Sequence, residues 1–363
     1  MNLSSLLLPL ILTITPPLLA DDLSAELETI REKQHLPAMA VMVFDGTKVL
    51  HQGVTGVRKQ GDPTIATLQD RWHLGSITKS MTASLAAMIV EDGKLSWDLP
   101  IAKAFPGSDA GFAAVTLHSL LEHRGGISHD GPAKIWNAFV ERKGTSQQTR
   151  TWWVREILSQ PPEHPPGTFD YSNPGVAAVG AMLESATGKD WESLIRTRLF
   201  KPLGLASAGF GAPAPLGTVD QPWGHDQSGH PIAPGPQADN PPGLGPAGTV
   251  HLSIADLATY GQWHLTEGKS HPGLLKAAAW KTLHTPRFPA ENGSAYECGW
   301  VILNRDWAKG TALTHSGSNN MNYAILWLAP KIDYGFAVVI NQGGDAAANA
   351  AELAAQLCVK KIP

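Results

Sequence analysis

Ser76 and Lys79 are the residues best placed to do chemistry. Gly75 leads into Ser76, Lys79 follows three residues on, and the apolar run Met81 to Val90 comes next. Leu85, Met88 and Ile89 recur at helical spacing and Gly93 supplies a stop, so the pair opens a helix. At i and i+3 the hydroxyl and the amine share one face. Both fall in the first turn, where unpaired backbone N–H groups disfavour an ammonium. A buried lysine there can lose its proton and accept one from the serine, which makes the serine a nucleophile. The plain alternative is an N-cap serine followed by a solvated lysine. Ser-x-x-Lys arises easily by chance, so its weight rests on what else the chain carries.

Two further stretches hold the partners such a pair needs. In Phe169-Asp170-Tyr171-Ser172-Asn173-Pro174-Gly175 a tyrosine stands two residues before an asparagine, in a turn that precedes a helix. A phenol beside a lysine ammonium can shuttle protons. The Asn173 amide offers a donor and an acceptor to a substrate amide. Alternatively this is an ordinary turn in which Asn173 caps the next helix. The second stretch, Thr314-His315-Ser316-Gly317-Ser318, closes a strand. Gly317 lets the backbone come close to a substrate, and the N–H of Ser318 could join that of Ser76 as an oxyanion hole. His315 could assist proton transfer or hold a substrate carboxylate. A strand-end histidine is often just a satisfied surface residue, and the chain has 14 histidines.

Taken in order, Ser76-x-x-Lys79, Tyr171-x-Asn173 and His315-x-Gly317 resemble the three motifs of the class C β-lactamase and penicillin-recognising serine hydrolase family. Leu120-Leu121-Glu122-His123-Arg124-Gly125-Gly126-Ile127 looks like the stretch that follows its first motif. Pro202-Leu203-Gly204-Leu205, Pro246-Ala247-Gly248 and Cys298-Gly299-Trp300 look like its later landmarks. The resemblance implies Ser76 acylated by a carbonyl substrate, Lys79 and Tyr171 sharing the proton transfers, and Asn173 orienting substrate. One departure stands out: lactamases of this family usually carry lysine where this chain has His315. Histidine there is similar to the family's esterases and D-amino-acid peptidases, and it argues against a dedicated antibiotic-degrading lactamase. The expected activity is therefore hydrolysis of an ester, amide or D-amino-acid peptide through a Ser76 acyl-enzyme. The alternatives are a penicillin- or peptidoglycan-binding protein with little or no turnover, or a true β-lactamase. The intact Ser76 and Lys79 favour an enzyme, since a pure binder need not keep both.

Rival chemistries lack their residues. There is no Gly-x-Ser-x-Gly elbow, no His-x-x-x-His or His-x-His zinc spacing, and no phosphate-binding glycine loop. His123 and His129 are six apart across a loop. No metal and no cofactor are called for; the partner is a small-molecule or peptide substrate.

The elements that must position these residues come from both chain ends. Asp22–Gln34 reads as an amphipathic helix. Pro37–Phe44 and Lys48–Val57 read as strands around the Asp45-Gly46-Thr47 turn. Helices follow over 116–122, 133–142, 149–158, 175–187, 191–200, 253–265 and 274–283. Ser253 caps one of them, with Asp256 as its box partner. Residues 211–248, crowded with proline and glycine, form a long working loop beside the site. Period-two strands then occupy 297–303, 312–315, 323–328 and 335–340, and a helix over 346–359 ends the chain. This predicts an α+β fold (an α/β sandwich), with one antiparallel sheet built from residues 21–75 and 290–363 and flanked by helices. A mostly helical domain over 76–289 is inserted between its halves. By resemblance that is the β-lactamase/transpeptidase-like architecture, one catalytic unit in all.

The remaining bounds are compositional. The chain has 363 residues, 43% of them hydrophobic, with net charge -4 and no basic run, which argues against nucleic acid as a partner. Residues 1–20 read as a signal peptide: Leu6–Ile14 is an apolar block and Leu18-Leu19-Ala20 a cleavage junction. The block is short for a membrane span. The mature protein is thus expected to begin at Asp21, to be periplasmic or secreted, and not to remain inserted in a membrane. Cys298 and Cys358 are either one bridge or two buried thiols.

Overall fold

The computed structural model describes residues 20–289 and 292–363; apart from Ala20, the expected signal peptide lies outside them. Eight strands form the main sheet: β1 (Asp21–Asp22), β2 (Ala38–Phe44), β3 (Val49–Gly56), β4 (Ser294–Glu297), β5 (Trp300–Arg305), β6 (Gly310–Ser318), β7 (Tyr323–Ala329) and β8 (Tyr334–Ile340). Their order is β1-β3-β2-β8-β7-β6-β5-β4, and only the β1–β3 pair is parallel. The two chain ends meet at β2 and β8, in register from Met39↔Ile340 to Gly335↔Phe44.

These central strands read as unbroken apolar runs because both sheet faces are covered. Alternate residues of β2 enter different cores. Met39, Val41 and Val43 pack with Leu23, which precedes the Ser24–Lys33 helix, with Leu27 inside it, and with Ala347, Ala350 and Ala354 of the Asp345–Val359 helix. Ala38, Ala40, Met42 and Phe44 face the larger core, with Trp72, Met81, Leu85 and Trp263. Each fully buried leucine, methionine, valine or phenylalanine side chain among them stabilises the fold by roughly 1.5–3 kcal/mol. On that second face the Ile254–Leu265 helix lies directly on the sheet. A Cβ on its Gly261 would stand 2.5 Å from the Phe44 ring and 3.3 Å from Leu326. The sheet layer therefore takes a helix from within the 76–289 stretch.

The Thr78–Glu91 helix runs through the middle of the helical half, with every residue from Thr78 to Ile89 buried. Its polar members are satisfied internally. Ser80 donates to Ile77 O (2.8 Å), Thr82 to Pro246 O (2.7 Å) and Ser84 to Ser80 O (2.9 Å).

Two details differ from the expectation, and one open alternative is resolved. Glu297–Leu303 is not one strand but part of a hairpin: Cys298 (φ 48°) and Gly299 (φ 83°) form a left-handed turn between β4 and β5. A Cβ on Gly299 would come within 2.4 Å of the Ser80 backbone, so this turn rests on the central helix. Arg71–His73, Val250–Ser253 and Gly209–Phe210 make a small second sheet, whose strands are too short to show a period. Cys298 and Cys358 are both free and buried, so the thiol alternative holds.

One feature of the sheet matters for the site. β5 pairs with β6 only from Arg305↔Gly310 to Val301↔Thr314. His315 to Ser318 continue to pair with β7, so this third motif has a strand on one side only.

Candidate active site

Ser76 sits in a 3-10 turn, Gly75–Ile77, that feeds the central helix. Gly75 adopts φ 50°, and a Cβ there would lie 2.3 Å from Ser318 N. Facing it, a Cβ on Gly317 would lie 2.0 Å from Leu74 O and 2.5 Å from Ser76 N. Only glycine fits at either point. The first and third motifs are thus pressed backbone to backbone, which brings Ser318 N against the turn that carries the half-buried Ser76. That placement suits a pair of oxyanion donors.

Lys79 is fully buried. Its Nζ lies 2.9 Å from Ser76 Oγ, 2.8 Å from Asn173 Oδ1 and 2.8 Å from Ala247 O. Burial, only partly offset by the charge of Asp130, lowers its pKa from 10.5 to about 7. The neutral amine can donate to Asn173 and Ala247 and turn its lone pair to the serine proton. The Tyr171 ring covers the same amine, with its centroid 4.8 Å from Nζ. Burial holds the phenol well above its ordinary value, with a hydrogen bond to Ser76 pulling the other way, so Tyr171 is protonated at neutral pH.

The helix after the second motif begins at Asn173, not Gly175. Its N-cap is Ser172, whose Oγ accepts from Gly175 N at 3.0 Å. That removes capping from Asn173 and leaves its amide for the site. Nδ2 donates to Asp130 Oδ1 (3.0 Å), which turns Oδ1 toward Lys79. Burial raises the Asp130 carboxyl, but His129, Asn173 and Lys79 outweigh it and keep the group below its usual value.

His315 reaches the same wall with both ring nitrogens occupied. Nδ1 lies 2.5 Å from Ser316 O, an acceptor, so Nδ1 carries the proton. Nε2 then accepts from the Tyr296 hydroxyl at 3.0 Å. Burial and the nearby Lys79 lower its pKa to about 3 despite the Ser316 bond, so the ring is neutral. No ring donor remains for a substrate carboxylate unless one of these bonds breaks.

A family model described as Beta-lactamase matches residues 23–359. The chain belongs to the beta-lactamase family. It is 28% identical to Penicillin-binding protein 4 of Amycolatopsis lactamdurans, over 87% of this chain and 84% of that protein. Protein flp of Staphylococcus aureus (strain COL) is 23% identical over 89% of this chain but only 64% of its own length. The chain therefore spans just under two thirds of that relative. A class C beta lactamase from Rhodobacter sphaeroides shares the fold, with TM-score 0.74 at 23% identity, over 93% of this chain and 97% of that one. Relatives in this beta-lactamase family include penicillin-binding proteins, and the fold is β-lactamase/transpeptidase-like.

Within this beta-lactamase-family site, sequence reasoning missed Asp130, Ala247 and Tyr296. Ala247 contributes a backbone carbonyl; Pro246-Ala247-Gly248 stood out as a landmark, but nothing in its residue types assigns that carbonyl to Lys79. Tyr296 needs the Cys298-Gly299 hairpin to reach His315. Among the described residues one triad of potential metal ligands converges, His118, Glu297 and Cys298. Its donors are spent on each other. Glu297 Oε1 accepts from His118 Nε2 (2.7 Å) and Cys298 Sγ (3.1 Å), while Oε2 accepts from Arg287 N (3.1 Å).

Proposed function

We propose that the protein is an exported serine hydrolase that turns over esters, amides or D-amino-acid peptides through an acyl-enzyme at Ser76. The observation that carries this reading is the buried Lys79 amine, 2.9 Å from Ser76 Oγ and titrating near 7. As Oγ attacks the carbonyl carbon, Lys79 takes the hydroxyl proton and the carbonyl oxygen gains charge beside the Ser76 and Ser318 N–H groups. Tyr171 gives its proton to the leaving group and recovers one from Lys79. Water then attacks the acyl carbon, loses a proton to the same pair, and Ser76 leaves with its hydroxyl restored.

The state of His315 supports a substrate preference. A lysine would offer a substrate carboxylate a positive charge. His315 is neutral and both its nitrogens are engaged. Small uncharged esters or amides are therefore favoured over penicillins and cephalosporins, which carry that carboxylate.

Steady-state turnover of p-nitrophenyl esters and nitrocefin, with intact mass after fluorophosphonate, tests both parts. The protein should gain mass at Ser76, lose labelling in Ser76→Ala, and prefer the ester; His315→Lys should move preference toward nitrocefin. Undiminished labelling of Ser76→Ala would sink the acyl-enzyme. Labelling without turnover would make the protein a binder. Faster nitrocefin hydrolysis with no dependence on His315 would overturn the preference.

A further inference from the structure

His123 belongs to none of the three motifs, yet it brackets the tyrosine of the second. It is 1% exposed, and its backbone sits at φ 58°, a left-handed conformation unusual for a residue with a ring. Its carbonyl accepts from Asp170 N (2.8 Å) and its Nδ1 from Ser172 N (3.1 Å), the two amides that flank Tyr171. Its ring packs against the Tyr171 ring with centroids 4.3 Å apart, tilted by 43°. It also packs against Tyr296, at 4.4 Å, the residue that donates to His315.

Since Nδ1 accepts, the ring proton is on Nε2, which is buried without a hydrogen-bond partner among the described residues. An orphaned N–H is costly, of the order of 1–3 kcal/mol. A phenylalanine would avoid that cost but could not accept from Ser172. A buried, neutral histidine whose lone pair holds the backbone and whose face holds the phenol accounts for the cost. Burial first, then Lys79, His315 and His129, keep its pKa well below the ordinary value, so it adds no charge beside the amine.

We propose that His123 is a positioning residue for Tyr171: two backbone bonds and a ring contact hold the phenol where it meets Ser76 and Lys79. The proposal rests on the acyl-enzyme reading and extends it to a residue that touches neither substrate nor Ser76. A misplacement of about 1 Å at a proton-transfer group costs on the order of 100-fold.

The test is a double-mutant cycle in the full chain. His123→Asn suits the left-handed backbone and keeps a side-chain acceptor while removing the ring; His123→Phe keeps a ring and removes the acceptor. Each is made alone and with Tyr171→Phe. Ester turnover and the rate of fluorophosphonate labelling at Ser76 are read, with thermal unfolding to confirm folding. If His123 acts through Tyr171, either folded variant should lower kcat by about 10- to 100-fold with KM little changed, and by under about threefold when Tyr171 is already phenylalanine. An equal loss in both backgrounds, or no loss with Tyr171 present, overturns the proposal. Failure of both variants to fold also overturns it, because the role would then be structural. Failure of the wild-type protein to label at Ser76 would instead remove the acyl-enzyme reading, so the two failures are distinguishable.

Discussion

Lys79 and Arg150 are both fully buried basic side chains in the helical half, and they sit in opposite electrostatic settings. Arg150 pairs with Glu184 and, at 2.5 Å, with Glu192, and donates to Gly243 O at 3.0 Å. Lys79 meets only neutral oxygens, from Ser76, Asn173 and Ala247. The nearest negative charge to act on it, Asp130, is held off by the Asn173 amide. Burial penalises a cation in either place. Where carboxylates touch it, the charge stays and the group braces the fold; where they are withheld, a lysine gives up its proton more readily and can take the base role proposed for Lys79. The brace also serves the base. Arg150 holds Gly243, at the start of the turn whose Pro246 and Ala247 carbonyls accept from Thr82 and Lys79.

The comparison is broken most severely by Lys79→Met, which should cut kcat/KM by at least about 1,000-fold. The same change should raise stability at neutral pH. With a folded pKa near 7 against 10.5 for the free amine, the unfolded chain binds a proton between those values that the folded chain lacks. Wild-type stability therefore rises with pH across that window. The methionine variant should lose that slope and gain up to a few kcal/mol at pH 7. Chemical unfolding at pH 7 and pH 9 decides: an unchanged slope means that Lys79 is charged in the fold.

Arg150→Met should do the reverse. Stranding the buried Glu184 carboxylate, with the half-buried Glu192 beside it, destabilises by about 3–5 kcal/mol, read as a fall in Tm. Turnover per folded molecule should drop far less than for Lys79→Met. Lost turnover at an unchanged Tm would contradict the division of roles.

Asn173→Asp gives the smallest effect and sharpens the comparison, because it supplies Lys79 with the counter-charge that the site withholds. Wild-type turnover should rise with pH through about 7, as Lys79 loses its proton. In the variant that limb should move upward by about a unit or more, costing about 10-fold at pH 7 and recovering at higher pH. A limb that stays at its wild-type pH would show that contact charge is not what sets the base.

The sequence was most legible where structure is local. The Ser76–Lys79 spacing, the helices over 133–142 and 149–158, and the buried runs of β2 and β8 depend on neighbours within a few residues, and the structure places them close to expectation. Local rules also misread two places. Asparagine favours caps, so a cap at Asn173 stood as the alternative to a substrate-orienting role, but Ser172, one residue earlier, takes the cap. Asp256 looked like a capping-box partner; its N–H does bond to Ser253, but its carboxylate turns instead to Ser207.

What the sequence determined by itself was the set of reactive groups, their order, and the elements that carry them. What only the tertiary structure decided was the state of those groups. Lys79 finds its acceptors 94 and 168 residues away, and His315 finds Tyr296 across the Cys298-Gly299 hairpin. His123 reaches the amides on either side of Tyr171 across more than forty positions. Propensity follows from a residue and its near neighbours. A pKa or a tautomer follows from which distant dipoles and charges the fold brings within hydrogen-bond reach, and which it keeps out.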